Sequence, residues 1–250
     1  MPTGSEPPES IPEDILACFI KVLEERKVPA EDRDSWLRDM AGQHKELLLL
    51  LDSPQMARLP NEAAQAVAAG SWSRAETLLE EAAAEIQAGL ALLQRIQLRH
   101  ARAAECWMQA ADLLPQERKA ERARWLHNAA YDLHRIGFHS EALPLFEESL
   151  GLSVESGDSK GECVTLNNLA AAAYKIGDYD KARSCLERSL AISLETGDKA
   201  AEAVTCWNIG MACAEQNDLA AMERYIRRAK QLAEEVFGGG QPPDAGSAET

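Results

Sequence analysis

Three asparagines recur at a spacing of 40 residues: Asn128, Asn168 and Asn208. A carboxamide carries a donor and an acceptor side by side, so it can pair with both polar groups of a peptide unit. Three such groups in register would make a ladder along an extended strand. The competing use of the same residues is to bond neighbouring helices. Other reactive residue types do not assemble into a site. His127 and His134 are seven apart, roughly 10 Å along a helix, so they cannot share one metal ion. There is no His-Glu-x-x-His sequence, and the six cysteines (Cys18, Cys106, Cys163, Cys185, Cys206, Cys213) show no metal-like spacing. No nucleophile–base pairing is present, and Gly238–Gly240 leads into a tail instead of opening a helix as a phosphate loop would. These readings predict no catalysis, no metal and no cofactor.

The elements that must hold the asparagines follow from composition and periodicity. Of 250 residues, Ala, Leu and Glu contribute 42, 30 and 28, whereas Val, Ile and Thr together contribute 23. That bias favours helix and argues against a substantial sheet. Three stretches align without gaps, beginning at Trp125, Thr165 and Thr205. Ala130, Ala170 and Gly210 superpose, as do Gly137, Gly177 and Asn217, and Ala142, Ala182 and Met222. Each unit reads as two helices. Gly137, Gly177 and Asn217 tolerate the left-handed backbone that ends a first helix. Asp178 or Asp180 is the expected cap of its second helix, and Ser140 that of the preceding one. Gly157 and Gly197 end second helices. The small residues fall where helices must approach closely. Cys206 and Cys213 fall on a packing face. A single helix pair cannot bury its own apolar face, so neighbours must stack.

With its small residue in the first helix, Gly at the turn, then Tyr179 and Ala182, this pattern resembles the tetratricopeptide repeat family. The 40-residue period and the Ser156-Gly157-Asp158 and Thr196-Gly197-Asp198 linkers are similar to the extended variant of kinesin light chain and LGN-type repeats. Two fainter copies lie upstream, one around Gly70, Trp72, Ala75, Leu79 and Ala82. The other spans Ala91, Ala103, Trp107, Ala110 and Pro115, with Leu98 in place of the turn glycine. A single long helix is expected between them. The resemblance implies an all-α, right-handed α-solenoid of stacked antiparallel helix pairs. The expected organisation is a disordered tail at 1–11, a helical hairpin or cap at 12–58, and a solenoid of about five helix pairs at 59–237. The clear pairs are 120–158, 159–198 and 199–237, and a second disordered tail covers 238–250. In the hairpin, Ile15, Leu16, Phe19, Ile20 and Leu23 form one apolar stripe, and Trp36, Leu37, Met40, His44, Leu47, Leu48 and Leu51 another. Pro29 stands near the start of the second helix. His100 and His139 occupy the position of Tyr179 and are expected to pack in its stead.

The resemblance also implies that first helices line a concave groove. By matched position its lining is Arg124, His127, Asn128, Tyr131 and Arg135, then Asn167, Asn168, Tyr174 and Lys175, then Trp207, Asn208 and Met211, with Arg95 extending it. Arg and Lys would select an acidic segment or a terminal carboxylate. Tyr131 and Trp207 could hold an apolar side chain. The formal charge of −15 opposes nucleic-acid binding. Leu47–Leu51 is too short to span a bilayer. With no visible targeting segment and scattered cysteines, a cytoplasmic protein with reduced thiols is expected. The reading is a non-enzymatic adaptor that takes an extended, acidic peptide or partner tail, with no nucleic acid or membrane partner. The alternative is a homo-oligomeric scaffold assembled through the terminal helices, using Leu47–Leu51 or Met222, Ile226, Val236 and Phe237.

Overall fold

The computed structural model describes residues 13–51, 53–68 and 71–237, and among them it contains helices and turns but no strand. The helices are α1 (Glu13–Glu25), α2 (Arg33–Leu51), α3 (Pro54–Ala68), α4 (Trp72–Ile96), α5 (His100–Leu113) and α6 (Lys119–Arg135). They continue as α7 (His139–Ser156), α8 (Ser159–Lys175), α9 (Tyr179–Thr196), α10 (Lys199–Glu215) and α11 (Leu219–Phe237). The chain divides into two compact units, residues 1–115 and 116–250. The tails at 1–11 and 238–250 lie outside the described residues.

In the second unit the repeat is realised as the pairs α6/α7, α8/α9 and α10/α11. Gly137, Gly177 and Asn217 adopt φ of 89°, 86° and 62° at the bend inside each pair. Gly157 and Gly197 close α7 and α9 in the same left-handed region. Aspartates then restart the chain every 20 residues. Asp158, Asp178, Asp198 and Asp218 accept the backbone N–H of Gly161, Lys181, Ala201 and Ala221. Each satisfies one of the orphan donors of a helix start. Asp178, not Asp180, therefore caps α9. Ser140 does not cap α7: the helix starts one residue before it, after Phe138, with no side-chain cap.

The pairs stack through a core of Phe146, Leu166, Leu169 and Leu186, with Ala130, Ala142, Ala170, Ala172, Ala173 and Ala182 where backbones come close. Cys206 is buried and Cys213 half-buried. At the last pair the approach needs a glycine. A Cβ on Gly210 would stand 2.7 Å from Cδ1 of Ile226. Ile226 therefore points into the α10–α11 contact and does not belong to an outer, self-associating face.

In the first unit α4 runs unbroken for 25 residues. It ends at Leu98, which takes the left-handed conformation (φ 53°) that glycine takes in the later repeats. The hairpin of α1 and α2 is not a separate domain. Phe19, Leu23 and Met40 share a core with Ile96, and Leu98 packs against it. Pro29 precedes a 3-10 turn, Ala30–Asp32, that leads into α2. Leu47 and Leu50 lie against Gly89 of α4, whereas Leu48 and Leu49 are exposed. His100 packs its ring against Trp36, in the role its matched position predicts. Arg95 is buried, with its guanidinium 5.2 Å from the Trp107 ring centre. It is a packing residue of the first unit and does not extend a groove.

The close approach at Gly210 sets a stability prediction. Gly210→Leu should destabilise the chain by about 2–3 kcal/mol through overpacking. Adding Ile226→Ala should recover part of that loss. Urea denaturation of the two variants checks both, and an unchanged midpoint for Gly210→Leu would contradict the packing.

Candidate functional site

Helical spacing places four positions of each first helix on one face. They are Arg124, Asn128, Tyr131 and Arg135 on α6; Val164, Asn168, Ala171 and Lys175 on α8; and Val204, Asn208, Met211 and Glu215 on α10. Helix α8 touches both α6 and α10, so equivalent positions form rows across three helices. Arg124, Ala171, Lys175, Met211 and Glu215 are exposed, Asn128, Tyr131, Arg135, Val164 and Asn208 are half-buried, and Asn168 and Val204 are buried, so the expected groove residue Asn168 lies beneath the face. The Arg135 guanidinium lies 5.8 Å from the Tyr131 ring centre. Glu215 accepts a hydrogen bond from the Tyr174 hydroxyl, which raises the phenol to about 12. Val164, Ala171, Val204 and Glu215 were not anticipated from the sequence. Their signal is the same four-position register counted through α8 and α10.

Immediately beside this face runs a buried polar ladder that joins consecutive pairs. The two N–H groups of Asn167 Nδ2 face three acceptors, Cys163 O (2.9 Å), Ser189 Oγ (2.8 Å) and Thr205 Oγ1 (3.0 Å), so one hydrogen is shared between two of them. Its Oδ1 accepts from Asn208 Nδ2 at 2.8 Å. One repeat earlier His127 takes the place of Asn167. Its Nδ1 is 3.0 Å from Thr165 Oγ1 and its Nε2 accepts from Asn168 Nδ2 at 3.2 Å. Both contacts fit a neutral ring with its proton on Nδ1. Ser149 and Ser189 are bonded alike: Ser149 Oγ donates to Ala123 O at 2.7 Å and lies 3.4 Å from Thr165 Oγ1, and Ser189 Oγ lies 3.4 Å from Cys163 O and 2.9 Å from Thr205 Oγ1. The module is thus built twice, 40 residues apart.

This ladder corrects part of the expected groove. Asn167 is 2 % exposed and wholly engaged in holding α8 to α9 and α10, so it lines no groove. His127 is half-buried, edge-on to Phe146 and bonded within the ladder. Trp207 occupies the same position in α10 and is half-buried. Asn168 and Asn208 each commit an amide hydrogen to the preceding repeat. Their Oδ1 atoms accept no hydrogen bond among the described residues. Tyr174 is turned against Tyr179, with ring centres 4.9 Å apart. His134 and His139 form the equivalent pair one repeat earlier, with Nδ1 atoms 2.9 Å apart. His139 therefore does pack in place of the tyrosine. Burial pushes the thiols of Cys163 and Cys206 up to about 11, which keeps them protonated and unreactive.

Two sets of variants test these contacts. Thr205→Val leaves Asn167 and Ser189 short of a buried partner and should destabilise by about 1–3 kcal/mol, read from urea denaturation. A comparable substitution at exposed Thr196 should lie within about 0.5 kcal/mol of wild type. Burial, then the neighbouring His139 and Lys175, lowers His134 to about 4. The unfolded ring titrates near 6.5, so between those values the unfolded chain binds more protons. Stability should therefore fall as pH drops from about 6.5 towards 4. His134→Phe should flatten that segment of the urea midpoint–pH curve, and an unchanged slope would contradict the assignment.

Among the described residues no helix is long and apolar enough to cross a membrane. A tetratricopeptide repeat model matches residues 121–195 and again 161–235. No curated protein matches the chain. Among the solved structures that share its fold are two of kinesin-light-chain type by their descriptions. One is of nearly identical tetratricopeptide-like repeats, a single-substitution variant described as a kinesin light chain from Podosopora anserina. It covers 75 % of this chain and 100 % of its own, with TM-score 0.54 and 16 % identity. The other is BtubC (BKLC) from P. vanneervenii, covering 83 % and 94 % with TM-score 0.56 and 22 % identity. Residues 121–235, whose turn glycines, aspartate caps and stacked pairs are described above, are tetratricopeptide repeats.

Proposed function

We propose that the second unit is a non-enzymatic adaptor that binds an extended, acidic segment of a protein partner along the face of α6, α8 and α10. Tetratricopeptide repeats mediate protein–protein interactions, and this face carries the chemistry such a contact needs. The observation that carries the reading is the juxtaposition of two rows. Tyr131, Ala171 and Met211 form an apolar row, and Arg135 and Lys175 form a cationic row beside it. Both cations belong to a chain whose formal charge is −15. Side chains of a bound strand that point inward would rest on the apolar row, with Ala171 as the shallow step between Tyr131 and Met211. Carboxylates of the same strand would meet Arg135 and Lys175, where guanidinium and ammonium donors are the stronger partners. Glu215 ends the cationic row and repels acid there, so the acidic part of the partner belongs over α6 and α8. The Oδ1 atom of half-buried Asn208 supplies an acceptor for a strand N–H group, a reduced form of the ladder that the asparagine spacing suggests.

A random peptide library displayed on phage and selected on the full chain tests this reading. Recovered sequences should be enriched in Asp and Glu next to an apolar residue. Arg135→Glu with Lys175→Glu should weaken the best peptide at least about tenfold, and wild-type binding should fall as salt rises. Tyr131→Ala should weaken it without changing the salt dependence. Peptides with no acidic bias, or a double variant that binds as wild type does, would refute the proposal.

A further inference from the structure

The long helix α4 carries an apolar stripe that its own unit leaves uncovered. Leu79 (54 % exposed), Ile86 (51 %), Leu90 (39 %) and Leu93 (38 %) share one side of the helix, with Ala83 half-buried among them. Their intervals from Leu79 are 4, 3, 4 and 3 residues. That average of 3.5 is the period of a coiled-coil seam, narrower than the stripe by which a helix faces a globular core. Other sides of α4 are already engaged. Ala75, Leu78 and Ala82 pack with Leu59, Ala63 and Ala66 of α3, and Gly89 meets Leu47 and Leu50 of α2.

We infer that α4 of a second copy covers this stripe, packed antiparallel across a two-fold axis level with Ala84 and Glu85. A two-fold contact must be self-complementary, and the order 4, 3, 4 from Leu79 to Leu90 reads the same in both directions. An antiparallel copy sets Leu79 opposite Leu90 and Ala83 opposite Ile86 of the second copy, so a methyl meets a branched side chain and each layer occurs twice. Leu93 overlies the stem of Glu76 of the second copy, whose carboxylate reaches water at the end of the seam. Charge selects the same register. Glu80 and Gln87 border one side of the stripe, and antiparallel pairing places each Glu80 near Gln87 of the second copy, where a carboxylate accepts from a carboxamide. A parallel copy would instead oppose Glu76 with Glu76 in the seam. The seam is about two heptads long, so the expected dissociation constant is on the order of 10–100 µM.

Sedimentation of the full chain over about 1–300 µM, a span bracketing that constant, reads the assembly directly. The average mass should rise from 27.3 kDa towards that of a dimer. Ile86→Glu should weaken association at least about tenfold with circular dichroism unchanged, since Ile86 is solvent-facing in the single chain. Leu48→Glu with Leu49→Glu, on the exposed side of α2, should leave it intact. A wild-type chain that stays monomeric across the range would overturn the inference. So would a dimer that survives Ile86→Glu or is abolished by the Leu48 and Leu49 pair.

Discussion

The second unit depends on a buried row of hydroxyls and amides that must all be satisfied at once. Thr165, Asn167, Asn168, Ser189 and Thr205 are each at least nine-tenths buried. Polar groups in such a place are tolerated only when hydrogen-bonded. Each one here finds its partner across a helix–helix boundary, and several boundaries are crossed by the same side chain. Asn167 alone bonds its own helix, α9 and α10. Apolar packing of alanines sets how near the helices come but says little about their axial position, because methyl groups slide with small penalties. Directional bonds at fixed heights along the helices determine the stagger. The row of inner-face residues is therefore held in register by polar contacts just behind it.

That coupling explains how residues from three separate helices are held in one ordered face. Tyr131, Ala171 and Met211 come from helices 40 residues apart in sequence. Their alignment is inherited from the ladder and from the periodic turns that restart each helix. Aspartate caps every 20 residues and left-handed bends at Gly137, Gly177 and Asn217 give each pair the same length and phase. Ion pairs across each pair repeat as well, at Arg122–Glu148, Glu162–Arg188 and Glu202–Arg228, with the charges exchanged after the first. Surface pairs of this kind contribute about 1 kcal/mol or less, so they decorate the stagger more than they determine it.

The first unit uses the same parts with a different result. Fusing two helices into the 25 residues of α4 removes one turn and leaves a long rod. Neighbours α2, α3 and α5 cover part of it, and the rest of its apolar residues face water. Leu98 shows how far position can override residue type. A left-handed leucine is disfavoured on its own, yet its side chain packs against the Phe19–Met40 core while the backbone makes the bend that glycine makes elsewhere.

Periodicity alone was enough to read the helix pairs, their bends at Gly137, Gly177 and Asn217, the ends at Gly157 and Gly197, and the long helix between the fainter copies. These are local properties: backbone freedom, capping chemistry and apolar spacing act within one or two turns. Which neighbours two adjacent asparagines bond is not local. Asn167 and Asn168 differ by about 100° around one helix, and only the positions of Ser189, Thr205 and His127 decide that the first bonds α9 and α10 and the second bonds α6. The same holds for Ile226, whose direction is settled by the missing Cβ of Gly210, and for Arg95, which lies over Trp107. Residue type and spacing specify the rods and their joints. Contacts between residues 16 to 41 apart in the chain specify which side of each rod is inside, because burial is a property of neighbours and not of the residue itself.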